Sequence, residues 1–236
     1  MKAVIMAGGR GSRLMPLTKS IPKPLVPMVD KPVMWYIIRL LKRAGIRDIV
    51  VTLGYRGDQI VREFGDGADL GVRLHYVYES QPLGTAGGVR NAADYLDEDF
   101  LVVSGDAYTD FDLADLAQWH YTKGGVMTVA AYPVSDPTRF GVIVSDADGL
   151  ILRFEEKPLH PASHLVNTGI YVCDKRVLSL IPDGFYDFAK DLFPRLIGNM
   201  FACRLEGFWS DIGTLSTYYW TNLQIVQNRK IAADLT

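Results

Sequence analysis

The sequence has 236 residues, 48% of them hydrophobic and 22% charged. That composition excludes a disordered chain, and the length suffices to bury about 70% of the unfolded surface without disulfide or metal staples. Its 25 basic and 27 acidic residues leave a net charge of −2, which excludes a nucleic-acid binder that relies on bulk positive charge.

Two isolated cysteines, Cys173 and Cys203, offer no CxxC pair for zinc or redox chemistry. They are expected reduced, in the core of a cytoplasmic protein. The first glycines come too early for a signal peptide, and charges break every apolar run before it reaches membrane-span length. Neither nucleic acid nor membrane is an expected partner.

Residues 2–6 form a short apolar run that stops at Gly8, as a buried first strand would. A long loop rich in Gly, Pro and Lys extends to about Pro32. Val33, Ile37, Leu40, Leu41 and Ala44 then share one helical face, with Pro32 before it and Gly45 after it. Strands are expected over 48–53 and 73–78, with a short helix over 58–64 between them. A second glycine loop precedes a helix over 89–96. Residues 100–104 read as an apolar strand ending in Gly105-Asp106, and Asp112 as the cap of a helix to about Lys123. This alternation implies a mostly parallel sheet with helices on both faces.

The second half reads differently. Strand-like runs over 127–132, 141–145 and 151–155 have no helix between them, and residues 146–149 (Asp-Ala-Asp-Gly) are a hairpin turn. A strand over 165–172 and a last helix over 214–228 complete the chain. The expected fold is one α/β domain over residues 1–236, a Rossmann-like, mostly parallel mixed sheet flanked by helices. About 1–110 would bind nucleotide, and a more antiparallel portion, about 111–236, would bind a second substrate.

The first loop, residues 8–18, reads Gly-Gly-Arg-Gly-Ser-Arg-Leu-Met-Pro-Leu-Thr. Its glycines let backbone N–H groups approach a phosphate closely. No Gly-Lys-Ser/Thr follows at Walker A spacing, and Gly9-x-Gly11 lacks the third glycine of a dinucleotide fingerprint. Arg10, Arg13, Lys19 and Lys23 cluster there, as in an anion trap suited to a polyphosphate. Taken alone, Asp106 reads as a turn or cap aspartate, Asp211 as a cap of the final helix, Lys157 as an exposed turn residue and Asn167 as a turn residue. The histidines form no catalytic pattern. The cluster Tyr218-Tyr219-Trp220 reads as core or as a contact between copies.

The loop, followed by residues 22–27 (Pro-Lys-Pro-Leu-Val-Pro), resembles the signature of the sugar-phosphate nucleotidyltransferases. Ser12 stands where threonine is usual and keeps the hydroxyl. Later segments resemble the family in order: Leu83-Gly84-Thr85-Ala86-Gly87-Gly88, Ser104-Gly105-Asp106, Phe140-Gly141-Val142, Glu155-Glu156-Lys157-Pro158, Asn167-Thr168-Gly169 and Trp209-Ser210-Asp211. The resemblance implies an enzyme that joins a nucleoside triphosphate to a sugar 1-phosphate. It implies catalytic Arg13, Lys23 and Lys157, and nucleotide binding by Ala7, Gly8, Gly9, Gly11, Ser12, Arg13, Gln81, Gly84 and Thr85. Gly141, Glu156, Lys157, Asn167 and Thr168 would bind the sugar phosphate, and Asp106 and Asp211 would hold Mg²⁺. The segments 133–141 and 154–158 look most like the mannose-1-phosphate guanylyltransferase branch. Glucose-1-phosphate uridylyl- or thymidylyltransferases and N-acetylmuramate-1-phosphate uridylyltransferase remain open. A catalytically silent nucleotide-sugar-binding subunit is the alternative of another class, but all four of Arg13, Lys23, Asp106 and Asp211 are present.

Overall fold

The computed structural model describes residues 1–227. From the N-terminus, β1 (Lys2–Ala7) leads into a loop of three 3₁₀ turns and a two-residue ladder of β2 (Pro27–Met28) with β3 (Lys31–Pro32). Next come α1 (Val33–Arg43), β4 (Asp48–Leu53), α2 (Gly57–Phe64), β5 (Arg73–Tyr78), α3 (Gly84–Asn91), β6 (Phe100–Ser104), β7 (Ala107–Thr109) and α4 (Leu113–Lys123). The second half contributes β8 (Met127–Pro133), β9 (Gly141–Ser145), β10 (Ile151–Glu156) and β11 (Leu165–Cys173). A π-helical turn (Phe188–Leu192) follows, then α5 (Phe193–Leu196), β12 (Met200–Arg204), β13 (Trp209–Asp211) and α6 (Leu215–Gln227). The last helix, expected to reach Asn228, ends within the described residues at Gln227; Asn228 lies outside them.

Nine strands form one mixed sheet. Its main path runs β10-β9-β11-β6-β1-β4-β5, with β8 on β11 and β12 on β8. The run β6-β1-β4-β5 is parallel, and its central strands are continuous apolar runs because both faces are covered. Ala3, Val4 and Ile5, Ile49 to Val51 and Leu101 to Val103 are all buried. α1 covers one face through Met34, Ile37, Ile38 and Leu41. Asp112 caps α4, its Oδ1 accepting from the N–H of Ala114 and Asp115, and Gly124 closes it in the left-handed region. Both cysteines are free and buried, as expected. Among the described residues no helix is long and apolar enough to cross a membrane.

Three expectations change. The helix placed over 89–96 instead spans Gly84–Asn91, with a separate 3₁₀ turn at Ala93–Tyr95, so the glycine loop is its first turn; glycine's weak helix propensity is overridden by contacts with a distant segment. The three-residue strands β7 and β13 are too short for periodicity to show them, and β12, as long as β6, is absent from the expected elements. Finally, Tyr219 and Trp220 are 65% and 58% exposed, so that cluster is not core; Tyr218 alone is anchored, donating to the Pro27 carbonyl.

Candidate active site

The parallel strands end on one edge of the sheet, and open α/β sheets bind ligands there. At β6 the sheet switches from parallel to antiparallel, since β11 runs against it. Asp106 follows β6 and so stands at the boundary between the two halves.

On one side of that boundary the loop after β1 folds back on itself. Gly11 sits at φ 63°, and a Cβ there would lie 3.1 Å from both Thr18 and Lys23. The Thr18 hydroxyl donates to the Gly11 carbonyl at 2.8 Å. These contacts bring Lys23, which is 7% exposed, across the loop, where its ammonium donates to Asp106 Oδ2 at 2.5 Å. Ser104 donates to the other carboxylate oxygen.

Asp211 arrives from the far end of the chain. β13 pairs antiparallel with β7, placing Asp211 opposite Ala107, and the Ile212 N–H donates to the Asp106 carbonyl. The helix-cap reading of Asp211 is thereby corrected, for its carboxylate faces this cluster. Together these elements wall a pocket of ≈ 220 Å³ lined by Ala7, Gly9, Gly11, Ser12, Arg13, Lys23, Asp106 and Gly213, among others. A larger pocket of ≈ 630 Å³ behind α1, lined in part by Trp35, Arg39 and Arg47, contains none of the residues expected in the site.

The electrostatics of the two carboxylates differ. Burial raises the Asp106 carboxyl, but the charge of Lys23, hydrogen bonds from Lys23 and Ser104, and the charge of Arg13 outweigh it, so Asp106 is held below its ordinary value. Burial also raises Asp211; Lys23 opposes this, the negative charge of Asp106 adds to it, and the net shift is upward. Lys23 and Arg13 act on both carboxylates and Arg139 on Asp211, so the pair is already offset by cations; its donors are hard oxygens. Among the described residues no group of three or more His, Cys, Asp or Glu could hold a metal. Two carboxylates are too few for a closed cage; as hard oxygen donors they could contribute to a site for a cation such as Mg²⁺, which takes the rest of its shell from water and phosphate.

On the other side lie β9, β10 and β11. A bulge in β11, with Gly169 at φ 79° against Ser104, carries Asn167 past the end of β6. Asn167 braces this turn: its Oδ1 accepts from the Gly169 N–H and its Nδ2 donates to the Tyr171 hydroxyl. Thr168 is buried, with its hydroxyl donating to the Ala130 carbonyl. Gly141 pairs with Glu156, and a side chain at 141 would strike the Phe154 ring. Lys157 holds a left-handed φ of 50°, unusual for a residue with a side chain. Its backbone N–H donates to the Phe140 carbonyl, and its ammonium pairs with Glu156 Oε1 at 2.6 Å.

Beyond β5, Gln81 is exposed, and Glu79, two residues earlier, is the side chain turned inward. A Cβ on Gly8 would meet Glu79 Oε1 at 3.0 Å and one on Gly88 at 2.7 Å, while Oε2 accepts from the Leu83 N–H. Burial lifts this carboxyl above the usual glutamate value, and the Leu83 bond only partly opposes that. The sequence reading passed over Glu79, although a carboxylate one residue past a strand of the parallel sheet was a legible signal. Thr85 is engaged too, donating to Asp187 Oδ2 and accepting from the Phe188 N–H.

Known proteins match along the whole chain. The model of the nucleotidyl transferase family covers residues 2–228. A UTP–glucose-1-phosphate uridylyltransferase of Synechocystis is 36% identical, over 98% of this chain and 64% of its own length. A mannose-1-phosphate guanyltransferase of Debaryomyces hansenii is 38% identical, over 90% of this chain and 61% of its own. The chain thus spans somewhat under two thirds of these curated relatives. The solved structure of HddC from Yersinia pseudotuberculosis complexed with GMP-PN superposes with a TM-score of 0.84 at 27% identity, covering 95% of this chain and 99% of that one. The chain belongs to the nucleotidyl transferase family.

Proposed function

We propose that the protein joins a nucleoside triphosphate to a sugar 1-phosphate, releasing pyrophosphate, and that the pair is GTP and mannose 1-phosphate, giving GDP-mannose. The observation that carries the base assignment is Glu79. A carboxylate only accepts hydrogen bonds. The Watson–Crick edge of guanine offers two adjacent donors, N1–H and the 2-amino group, whereas uracil and thymine set one N–H between two carbonyl acceptors. Glu79 rests against Gly8 and Gly88, so a base lying over those glycines would meet an acceptor pair that matches guanine and repels a pyrimidine. Relatives named for guanylyl transfer, and a solved relative whose ligand contains GMP, support this reading.

The chemistry needs little acid–base help. The second phosphate pKa is about 6, so the sugar phosphate is a dianion at neutral pH. One of its oxygens attacks the α-phosphorus, a new P–O bond forms, the α–β bridging P–O bond breaks, and the electron pair leaves on pyrophosphate. No proton moves. The obstacle is the mutual repulsion of two polyanions, so positioning and charge complementarity supply the catalysis. In this reading Arg13 and Lys23 receive the triphosphate and the departing pyrophosphate, exchanging the bond of Lys23 to Asp106 for one to phosphate. Lys157, freed from Glu156, holds the attacking phosphate, leaving Glu156 and Asn167 for sugar hydroxyls. Asp106 and Asp211 would hold Mg²⁺, which when bound offsets phosphate charge. Tyr219 and Trp220 are the surface at which copies of the chain would associate, and the cytoplasm, where the buried thiols stay reduced, is the compartment.

The test is a matrix of nucleoside triphosphates against sugar 1-phosphates, read by pyrophosphate release, for the wild type and Glu79→Gln. An amide offers one donor and one acceptor. The variant should lose about 10²-fold in preference for GTP, the scale of one hydrogen bond to a charged group, and gain on UTP. A wild type that prefers UTP would overturn the base assignment.

A further inference from the structure

The first turn of α3 does not stand alone. The segment 183–188, nearly a hundred residues later and from the other half of the chain, is docked on it. The Tyr186 carbonyl accepts from the N–H groups of Ala86 and Gly87 at 3.0 and 2.9 Å, and the Tyr186 N–H donates to the Leu83 carbonyl at 2.8 Å. A Cβ on Gly84 would lie 2.6 Å from the Tyr186 carbonyl oxygen, so the fit depends on glycine there.

Asp187 fastens the segment through both its carboxylate oxygens. Oδ1 caps the π-helical turn by accepting from the N–H groups of Ala189 and Lys190. Oδ2 accepts from the Thr85 hydroxyl at 2.9 Å. Phe188, 2% exposed and packed on Tyr171 and Phe193, roots the turn in the core. The chain of contacts continues inward, because the Leu83 N–H is the group that holds Glu79 Oε2.

We propose that Asp187 is a positioning residue for base selection: through Thr85, and through Leu83 held by Tyr186, it fixes the first turn of α3 and hence the carboxylate of Glu79. It touches no substrate. Its effect rests on the reading of Glu79 as the base-facing group. Binding energy from a positioned acceptor discriminates bases only if the acceptor cannot shift to suit the wrong one. Asp187 therefore affects the choice of nucleotide from the sugar-binding half of the sequence.

Asp187→Ser separates the two roles of this side chain. Serine caps a helical turn well but is too short to hold the turn and reach Thr85 as well. Thr85→Val cuts the same bond from the other side at constant shape, and Thr85→Ser restores the hydroxyl. The measurements are kcat and KM for GTP, UTP, dTTP and ATP, and KM for the sugar phosphate at saturating nucleotide.

The expected result is at least a fivefold fall in the ratio of kcat/KM between the best nucleotide and the others in Asp187→Ser. It should arise mainly from KM for nucleotide, with KM for sugar phosphate within twofold of wild type. Thr85→Val should match it, Thr85→Ser should recover, and the double variant should be no worse than either single, as for one shared contact. An unchanged ranking in both single variants, or equal changes in the two KM values, would overturn the proposal. The ranking of the wild type separates the two readings. A wild type that prefers UTP removes guanine as the base, while loss of that preference in Asp187→Ser would still support the positioning role.

Discussion

The two sides of the β6 boundary solve different problems. Around β1, β5 and β6 the polar side chains stand about the pocket: Arg13 is exposed, Lys23 lines the wall while paired with Asp106, and Glu79 presses on glycine backbone. Around β9 to β11 the polar groups mostly face one another. Thr168 bonds Ala130, Asn167 braces its own bulge, and Lys157 pairs with Glu156. The proposed nucleotide side thus sets an exposed arginine beside a lysine paired to a carboxylate, fixed charge of the kind a polyanion requires. The proposed sugar side likewise holds Lys157 against Glu156, so on both sides a lysine becomes available to phosphate only by leaving a carboxylate.

This contrast can be broken at its centre. Asp106 and Asp211 serve both sides, so Asp106→Asn or Asp211→Asn, and equally excess chelator, should lower turnover by about 10³-fold while the circular dichroism spectrum stays that of the folded protein. Full activity in chelator would refute the cation site.

On the nucleotide side, Lys23→Ala should cost about 10²-fold in kcat, the scale of one aimed donor on developing charge. Lys19→Ala should cost far less, because Lys19 is exposed and its bonds are made by backbone, the N–H donating to Pro16 and the carbonyl accepting from Tyr55 and Arg56. Equal effects would reduce the loop to diffuse positive charge.

On the sugar side the effects should be smaller and confined. Glu156→Ala should raise KM for sugar phosphate by about tenfold, the loss of one hydrogen bond, and leave nucleotide affinity without sugar near wild type. Lost nucleotide binding in this variant would erase the division between the sides.

The smallest effect is one of pH. Burial raises the Glu79 carboxyl, and the proposed contact with guanine requires its ionised form. GTP affinity should therefore weaken by a few-fold as pH falls toward that raised value, and Glu79→Gln should abolish this acid limb. The stability of the unliganded protein carries the opposite sign. Burial favours the neutral acid, so its contribution is present below the unfolded glutamate pKa and is lost as pH rises through the folded value. Titration calorimetry and melting curves against pH measure the two.

The sequence by itself determined the parallel half and the chemistry of its loop. Apolar runs such as those ending at Met6, Leu53 and Ser104, each followed by glycine within two residues, are local signals, and so are Pro32 and Asp112 at helix starts. The cationic loop and the two aspartates proposed to hold a metal were legible because their residue types and order carry a family pattern. Only the tertiary structure decided which side chains meet. It set Asp211 beside Asp106 through a three-residue ladder too short to leave a periodicity. It turned Glu79 inward and left Gln81 exposed, and it gave the Thr85 hydroxyl to a carboxylate from the other half of the chain. A side chain's partner is set by long-range register and by which backbone it is buried against, and a run of neighbouring residues contains neither.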